Sequence, residues 1–322
     1  MELALIRRVL SLLCLVLGSA GPVAAQQAPE HSAPSGRALD EQVATIGHRL
    51  AVANLAWCQD AQWLPGVTLG VEDPGIATRL GRRELRLTVL ALARDGPASQ
   101  AGLAPDEVVE SANGMPLPTA SQAANGAFVG VEQARETFEA AFADGRAVLG
   151  LRRGAASRTL AVRAERGCTS RFLILPSRQR NAFANGRSVQ ITSRLAEEAR
   201  REDELAAVLA HEFAHHVLRH RARLDAAGVE RGLLGNFGRN ARLIRETEEE
   251  ADRLSVWLLA RAGYDPAAAV RFWSWFGRRG FNMLGSPTHG GWRGRVARME
   301  AEIAAMRAAG ANGRPAFLPP AG

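Results

Sequence analysis

Hydrophobic and polar positions follow two different periods along the 322-residue chain. Apolar residues recur at helical spacing in the segment 38–63, which predicts an N-terminal helix there. Alternating apolar runs then predict strands, with one helix among them; the runs are "GVTLGV", "LRLTVLALA", "RAVLGLRR" and "RTLAVRA". Helical spacing returns after residue 168 and continues to about residue 308. The pattern predicts an α+β protein in which a β-rich unit, 64–166, precedes a mainly helical unit with a small sheet, 168–308.

The N-terminus has the pattern of a secretory signal peptide. Arg7 and Arg8 precede the apolar run "VLSLLCLVLGSA", and small residues follow up to Ala25. We expect residues 1–25 to be removed, 26–37 to be a disordered linker and the protein to be periplasmic or otherwise exported. An uncleaved membrane anchor is the alternative. No later apolar run is long enough to predict a transmembrane span. The Pro-containing end, 309–322, is expected to be a disordered tail.

Charge adds little to this picture. The formal net charge is +7 and the sequence pI is about 10.8, values that can accompany nucleic-acid binding. All 40 basic residues are Arg, however, and they are spread along the chain among Asp and Glu. Because they form no basic patch or stripe, nucleic acid is not an expected partner.

Cysteine usage agrees with export. Removal of a signal peptide leaves two cysteines, Cys58 and Cys168. Two cysteines in an exported protein usually pair, so we predict a disulfide between them. The alternative is two buried free thiols.

The segment "AHEFAHHVLRH", 210–220, contains four of the seven histidines. On a helix, His211 and His215 lie one turn apart on the same side, where two imidazoles can bind one zinc ion. Glu212 points inward and can reach a water molecule on that ion. On a straight helix His216 and His220 point elsewhere. We therefore expect one to be a core histidine and the other to face solvent or a neighbouring helix.

A catalytic zinc site needs a third protein ligand. The segment "RETEEEADRL" places Glu248 and Asp252 four residues apart, on one helix face. Glu248 is the candidate ligand, and Asp252 the candidate partner that orients a ligand imidazole. A solvated acidic face is the alternative. It fits Glu249 and Glu250 better than Asp252, which precedes the apolar run "LSVWLLA".

The order His-Glu-x-x-His followed by Glu-x-x-Ala-Asp resembles the zinc metallopeptidase family of the CAAX prenyl protease and HtpX, over about 170–305. The resemblance implies one zinc ion per subunit, with Glu212 as general base on zinc-bound water. Within that family, the sequence is more similar to soluble exported members that act in envelope protein quality control. Polypeptide substrates, including outer-membrane or other envelope proteins, are therefore expected. The alternative function is a zinc-bearing periplasmic chaperone or scaffold that binds peptides with little cleavage.

Two further sets of site residues follow from that resemblance. The segment "NAFANGRSVQIT" is similar to the strand before the catalytic helix, and an extended substrate is expected to pair near Val189, Gln190 and Ile191. Family members also carry a His and an Arg six apart, which here are His289 and Arg295. They are expected to stabilise negative charge on the substrate oxygen. A rival role makes His289 a fourth zinc ligand that blocks the site.

The β-rich unit 64–166 resembles a bacterial PDZ-like domain. The resemblance lies in "GPASQAGLAPDEVVESANG", and it departs at Asp106-Glu107, where the family usually has Gly-Asp. It implies that a peptide end adds as a strand along "TLGV", with the contacts made by Thr68, Leu69, Gly70 and Val71. The alternative is a degenerate domain that only packs against its neighbour.

Overall fold

The computed structural model describes residues 36–71, 84–121, 127–229, 238–279, 291–310 and 313–318. The predicted signal peptide, most of the predicted linker, and His289 lie outside the described residues. Within the described ranges, no helix is both long and apolar enough to cross a membrane. The presence of both sheets and helices confirms the predicted α+β class.

Nine α-helices are found in the described residues, and a single 3-10 turn (Leu55–Trp57) follows the first. The helices are α1 (Gly36–Ala53), α2 (Pro97–Gln100), α3 (Ala127–Ala140), α4 (Ser193–Glu198), α5 (Glu202–Val217), α6 (His220–Ala226), α7 (Gly238–Arg261), α8 (Ala267–Arg278) and α9 (Trp292–Ala309).

The described strands form four sheets. They are β1 (Ala61–Leu64), β2 (Val67–Val71), β3 (Glu84–Leu85), β4 (Leu87–Leu92), β5 (Val108–Ala112), β6 (Met115–Pro116), β7 (Ala120–Ser121), β8 (Arg146–Arg153), β9 (Ala156–Arg163), β10 (Glu165–Cys168), β11 (Arg171–Leu175), β12 (Ala182–Ala184) and β13 (Ser188–Thr192).

The β-rich unit is an insertion between two paired strands. Strands β1 and β10 are antiparallel, with Leu64 opposite Glu165 and Ala61 opposite Cys168. The chain therefore leaves and re-enters the rest of the protein at neighbouring points. Inside the insertion, the main sheet has the order β2-β4-β5-β8-β9, with the short strand β6 also paired to β5. Its core is buried against α3 and includes Val89, Leu149 and Phe138.

The predicted disulfide is present at the base of this insertion. Cys58 and Cys168 are bonded, with their Cα atoms 5.6 Å apart and 110 residues between them in sequence. The bond joins the segment after the 3-10 turn to the end of β10. The N-terminal helix is shorter than predicted, because α1 ends at Ala53 and the segment to residue 63 turns and then enters β1.

The helical unit is organised around α5. The small sheet has the order β11-β13-β12, with β11 parallel and β12 antiparallel to β13. Helix α5 packs against β12, β13, α1, α7 and α8, so residues 204–214 are all buried. Helix α1 packs against both β11 and α5, and it approaches closely at Gly47, where a Cβ atom would collide with the Phe172 ring. The "HEFAH" segment is therefore held inside a packed core.

Candidate metal centre

Two helices bring three potential ligands together. His211 and His215 lie on α5, and Glu248 lies on the adjacent helix α7. The two Nε2 atoms are 3.3 Å apart. Glu248 Oε2 is 3.3 Å from His211 Nε2, and Oε1 is 3.4 Å from His215 Nε2. His211 and Glu248 are buried and His215 is partly buried. The three groups therefore converge at a place with little exposure to solvent.

The spacing of these three atoms fits a zinc ion. Donors arranged tetrahedrally about 2.0–2.1 Å from zinc lie about 3.3–3.4 Å from one another, which matches the three separations. Two imidazoles and one carboxylate are also a common donor set of catalytic zinc sites, in which the fourth position stays open. The sequence-predicted ligands therefore have both the chemistry and the separations that zinc requires.

The surroundings of His211 favour positive charge. Asp252 Oδ1 is 3.2 Å from His211 Nδ1, on the side of the ring away from His215. Burial and the Arg295 guanidinium oppose protonation of His211, but contacts with Asp252 and Glu248 outweigh them and raise its pKa to about 9. A bound divalent cation would supply the positive charge that these carboxylates stabilise.

Glu212, the expected general base, follows the candidate ligand His211 directly on α5. Its side chain is buried, with only 3 % of the residue exposed to solvent. A carboxylate in such surroundings can hold or release a proton close to the ligands without competition from bulk water.

Arg295 lies against the His211 ring, close to both of its nitrogens. Its Nη2 atom donates to Asp252 Oδ1 at 2.6 Å and lies 3.3 Å from His211 Nδ1. Its guanidinium also lies 3.6 Å from the centre of the Trp273 ring. Arg295 is thus bound to the carboxylate that supports a ligand, and its expected action on the substrate oxygen stays a prediction. The companion residue, His289, lies outside the described residues.

His220 departs from the expectation for a straight helix. Arg219 adopts a left-handed conformation (φ 52°) between α5 and α6. This turn returns His220 to His215, with 2.9 Å between their Nδ1 atoms. His220 is 2 % exposed, and burial lowers its pKa despite the opposing effect of Glu250. His216 is partly buried, and its Nδ1 lies 3.1 Å from Ser170 Oγ.

The expected substrate edge at Val189, Gln190 and Ile191 is wrong. These residues belong to β13, which is the central strand of its sheet. Strand β11 occupies one edge of β13 and β12 occupies the other, so both sets of backbone groups are already paired. The sequence correctly predicted a strand before α5. It did not predict that β11 and β12 pair with the two edges of that strand, because local periodicity does not encode strand pairing.

In the inserted unit, the predicted peptide-binding strand is only partly accessible. Strand β2 is at an edge of its sheet, as the resemblance requires. However, Arg135 on α3 donates to the Leu69 carbonyl at 2.8 Å. A cavity of about 90 Å³ lies there and is lined by residues of both units, including Phe138 and Phe172. An added peptide strand would have to displace Arg135 from the Leu69 carbonyl.

The departure at Asp106-Glu107 has a conformational explanation. Asp106 has φ 69°, a left-handed conformation that glycine adopts without strain and that Asp tolerates better than most residues. Glu107 accepts hydrogen bonds from the Ala104 backbone and from Arg158. Asp at position 106 is therefore compatible with a turn conformation that glycine adopts most easily.

Comparison with known proteins supports the peptidase assignment. Residues 154–233 match the profile described as Peptidase family M48, a segment that includes His211, Glu212 and His215. The chain is 34% identical over 121 residues to "Mitochondrial metalloendopeptidase OMA1" of Schizosaccharomyces pombe, covering 31% of this chain and 36% of that protein. It is 32% identical over 130 residues to "Beta-barrel assembly-enhancing protease" of Yersinia pestis, covering 31% and 27%. These matches agree with the prediction of a metallopeptidase hydrolase over the part of the chain that they cover.

The extent of these likenesses is limited. The chain spans about a third of the length of the curated relatives that it matches. One solved structure, "Crystal Structure of the HtrA3 PDZ Domain Bound to a Phage-Derived Ligand (FGRWV)", is 17% identical with a TM-score of 0.25. It covers 33% of this chain and 88% of the solved one. A TM-score of 0.25 is too low to establish a shared fold, so the PDZ-like character of the inserted unit stays a prediction. The resemblance to the CAAX prenyl protease and HtpX subtype also stays a prediction.

Proposed function

We propose that this protein is a zinc-dependent endopeptidase that hydrolyses peptide bonds in exported or misfolded envelope proteins. The observation that carries the proposal is the convergence of His211, His215 and Glu248 at separations of 3.3, 3.3 and 3.4 Å. These three residues would hold the ion. Zinc bound there would activate a water molecule and polarise the scissile carbonyl.

Glu212 supplies the proton transfers. Its carboxylate lies next to a ligand on the same helix and is shielded from bulk solvent. In the ionised form it accepts a proton from the attacking water, and it then donates that proton to the leaving amine. No other carboxylate of α5 is suited to this role, because Glu202, Asp203 and Glu204 lie in the first turn, two turns before His211.

The substrate is proposed to bind as an extended strand at β12 rather than at β13. Strand β12 pairs with β13 on one side, and no other described strand pairs with it. It also packs against α5, the helix that carries His211. Backbone pairing at such an edge is independent of side chains, which suits an enzyme that accepts many unfolded sequences.

The location and substrate class rest on three supports. The N-terminal sequence has the pattern of an export signal, and the disulfide at Cys58 and Cys168 suits an oxidising compartment. One relative is a beta-barrel assembly-enhancing protease. We propose a periplasmic location, with outer-membrane and other envelope proteins among the substrates.

The decisive experiment compares the wild type with Glu212→Gln in cleavage of unfolded casein, with and without chelator. The variant removes the base and keeps the ligands, so cleavage should disappear while zinc content and melting temperature stay nearly unchanged. Chelator should abolish wild-type cleavage, and added zinc should restore it. Cleavage by Glu212→Gln at the wild-type rate would refute the mechanism. Suppression of aggregation without cleavage in the wild type would instead establish the chaperone alternative.

A further inference from the structure

A hydrogen-bonded chain extends from the back of His215 away from the metal centre. His215 Nδ1 is 2.9 Å from His220 Nδ1, and His220 Nε2 is 2.9 Å from Glu250 Oε2. Arg223 closes the chain, with its Nη1 2.5 Å from Glu250 Oε2 and its Nη2 3.2 Å from Oε1. His220 is buried, whereas the Glu250 side chain is 31% exposed, so the chain runs from the core to the surface.

The contacts allow one consistent placement of the protons. His215 presents Nε2 to His211 and Glu248, so Nε2 is the ligand atom and Nδ1 carries the proton. That proton is donated to His220 Nδ1, which must then be unprotonated. The proton of a neutral His220 consequently lies on Nε2, where it is donated to Glu250.

The two ligand imidazoles are therefore supported differently. His211 Nδ1 contacts the carboxylate of Asp252 directly, at 3.2 Å. His215 Nδ1 contacts the His220 ring, and His220 in turn contacts the carboxylate of Glu250. A carboxylate or equivalent acceptor behind a ligand histidine selects its tautomer, holds its ring plane and raises its basicity towards the metal.

We propose that His220 and Glu250 are positioning residues of the metal centre, which act through His215 and do not touch substrate. The inference rests on the proposed function, because it takes His215 as a ligand of a divalent cation. Arg223 completes the arrangement by holding Glu250 in place with two contacts.

A break in the helix at Arg219 makes the contact between His215 and His220 possible. Residues five apart on a continuous α-helix point about 140° away from each other, so an unbroken α5 would separate His220 from His215. The left-handed conformation of Arg219 breaks the helix and starts α6 at His220. That conformation is unfavourable for a non-glycine residue, and the break is what brings the two rings together.

His216 provides a matched control on the same helix. It is also partly buried, and its Nδ1 contacts Ser170 Oγ at 3.1 Å. Its described contacts lead to Ser170 and the Phe213 ring, away from His220 and Glu250. A change at His216 therefore perturbs the same helix and the same kind of side chain without interrupting the chain behind His215.

The test measures zinc affinity in the full chain by competition with a chromophoric chelator. His220→Phe keeps the ring volume but removes both nitrogens, and it should weaken zinc binding about 10–100-fold. His216→Phe should change it by less than about threefold. His220→Gln can accept from His215 and donate to Glu250, so it should recover most of the affinity. Glu250→Gln, at a partly exposed position, tests the same chain with little risk to folding and should weaken binding measurably.

A spectroscopic readout separates positioning from general packing. In zinc-loaded protein with ¹⁵N-labelled histidine, His220 should be neutral, with its proton on Nε2 and none on Nδ1. Wild-type zinc affinity in both His220→Phe and Glu250→Gln, or a proton on His220 Nδ1, overturns the inference. If His211→Ala and Glu248→Ala also bind zinc like the wild type, the proposed metal centre falls as well. If His211→Ala and Glu248→Ala lose zinc affinity while His220→Phe and Glu250→Gln do not, the metal centre is supported and only the positioning role is refuted.

Discussion

The carboxylate of Asp252 accepts a 2.6 Å hydrogen bond from the guanidinium of Arg295, and both side chains are almost completely buried, at 0% and 5% exposed. Burial favours the neutral acid, but Arg295 and His211 outweigh it and hold the pKa of Asp252 below its ordinary value. The same carboxylate contacts His211. One buried ion pair therefore links α9 to α7 and supports a proposed ligand.

Asp252→Asn should destabilise the protein and weaken the metal centre together. The change leaves the buried Arg295 charge without its anionic partner, which typically costs about 3–5 kcal/mol. Denaturant unfolding with and without zinc measures the loss. Glu249→Gln is the matched control, because Glu249 is half exposed and lies 3.6 Å from Arg298. It should change stability by less than about 1 kcal/mol.

A double replacement would separate the two effects of that ion pair. In Asp252→Leu with Arg295→Met, the buried Arg295 charge is removed together with its partner, so much of the stability should return. Arg298, which also lies 3.4 Å from Asp252, keeps its contact with Glu249. Zinc affinity should remain low, because His211 has lost the acceptor behind its Nδ1. Recovery of both stability and zinc affinity would contradict a supporting role for Asp252.

The proposed ligand set predicts unequal effects of neighbouring carboxylates. Glu248→Ala should lower zinc binding sharply, since Glu248 lies 3.3 and 3.4 Å from the two imidazole Nε2 atoms. Glu249→Ala should leave zinc stoichiometry at about one per chain, because its side chain is 51% exposed and faces Arg298. Zinc content after gel filtration decides between them. Loss in Glu249→Ala with retention in Glu248→Ala would show that the assignment is wrong by one residue.

The disulfide should contribute stability through the 110-residue loop that it closes. Replacing Cys58 and Cys168 together by Ser should lower the free energy of unfolding by about 4–5 kcal/mol at most, by the chain-entropy relation. Urea titrations of both proteins, each with and without reductant, provide the measurement. Reductant should bring the wild type towards the variant and leave the variant unchanged. A wild type that is insensitive to complete reduction would show that the bond contributes little.

The inserted unit should be dispensable for chemistry. Leu64 and Glu165 are direct partners in β1 and β10, so residues 65–164 can be replaced by Asn-Gly to close a two-residue hairpin. The shortened protein should still cleave a short peptide and should cleave an unfolded protein less well, if the unit captures substrate. Retention of the Cys58–Cys168 bond serves as the folding control.

Equal loss of both activities in the shortened protein would show that the unit supports folding instead. The structure offers a reason for such an outcome, because Arg171 on β11 binds Glu132 and Glu139 on α3 at 2.6 Å each. A companion variant with Arg171→Gln removes the charge that the excision leaves unpaired, and it should restore stability if this contact is the cause.

The left-handed turn at Asp106 gives a prediction for the inserted unit alone. Asp106→Ala should destabilise the protein by about 1 kcal/mol, because alanine is strained at φ 69°. Asp106→Gly relieves that strain and loses only an exposed contact with Arg37, so it should be neutral or mildly stabilising. Thermal melts of the two variants test the difference in sign. A glycine variant less stable than the alanine variant would contradict the explanation.

The sequence by itself determined the parts of this protein that depend on spacing along one element. Helical geometry places His211 and His215 on one side of a helix, and the same rule places Glu248 and Asp252 on one face. The pairing of Cys58 with Cys168 followed from the number of cysteines in an exported chain. A change in hydrophobic period, which is a local signal, predicts the limits of the β-rich unit.

Tertiary structure alone decided which groups meet across elements. The chain breaks α5 at Arg219 and returns His220 to His215, a turn that no glycine or proline marks in the sequence. Strands β11 and β12 pair with the two edges of β13, and Arg135 donates a hydrogen bond to the Leu69 carbonyl. In each case the deciding energy comes from hydrogen bonds and packing between segments that are distant in sequence or separated by a turn. Local periodicity reports which face of an element is buried, and it carries no information about which partner covers it.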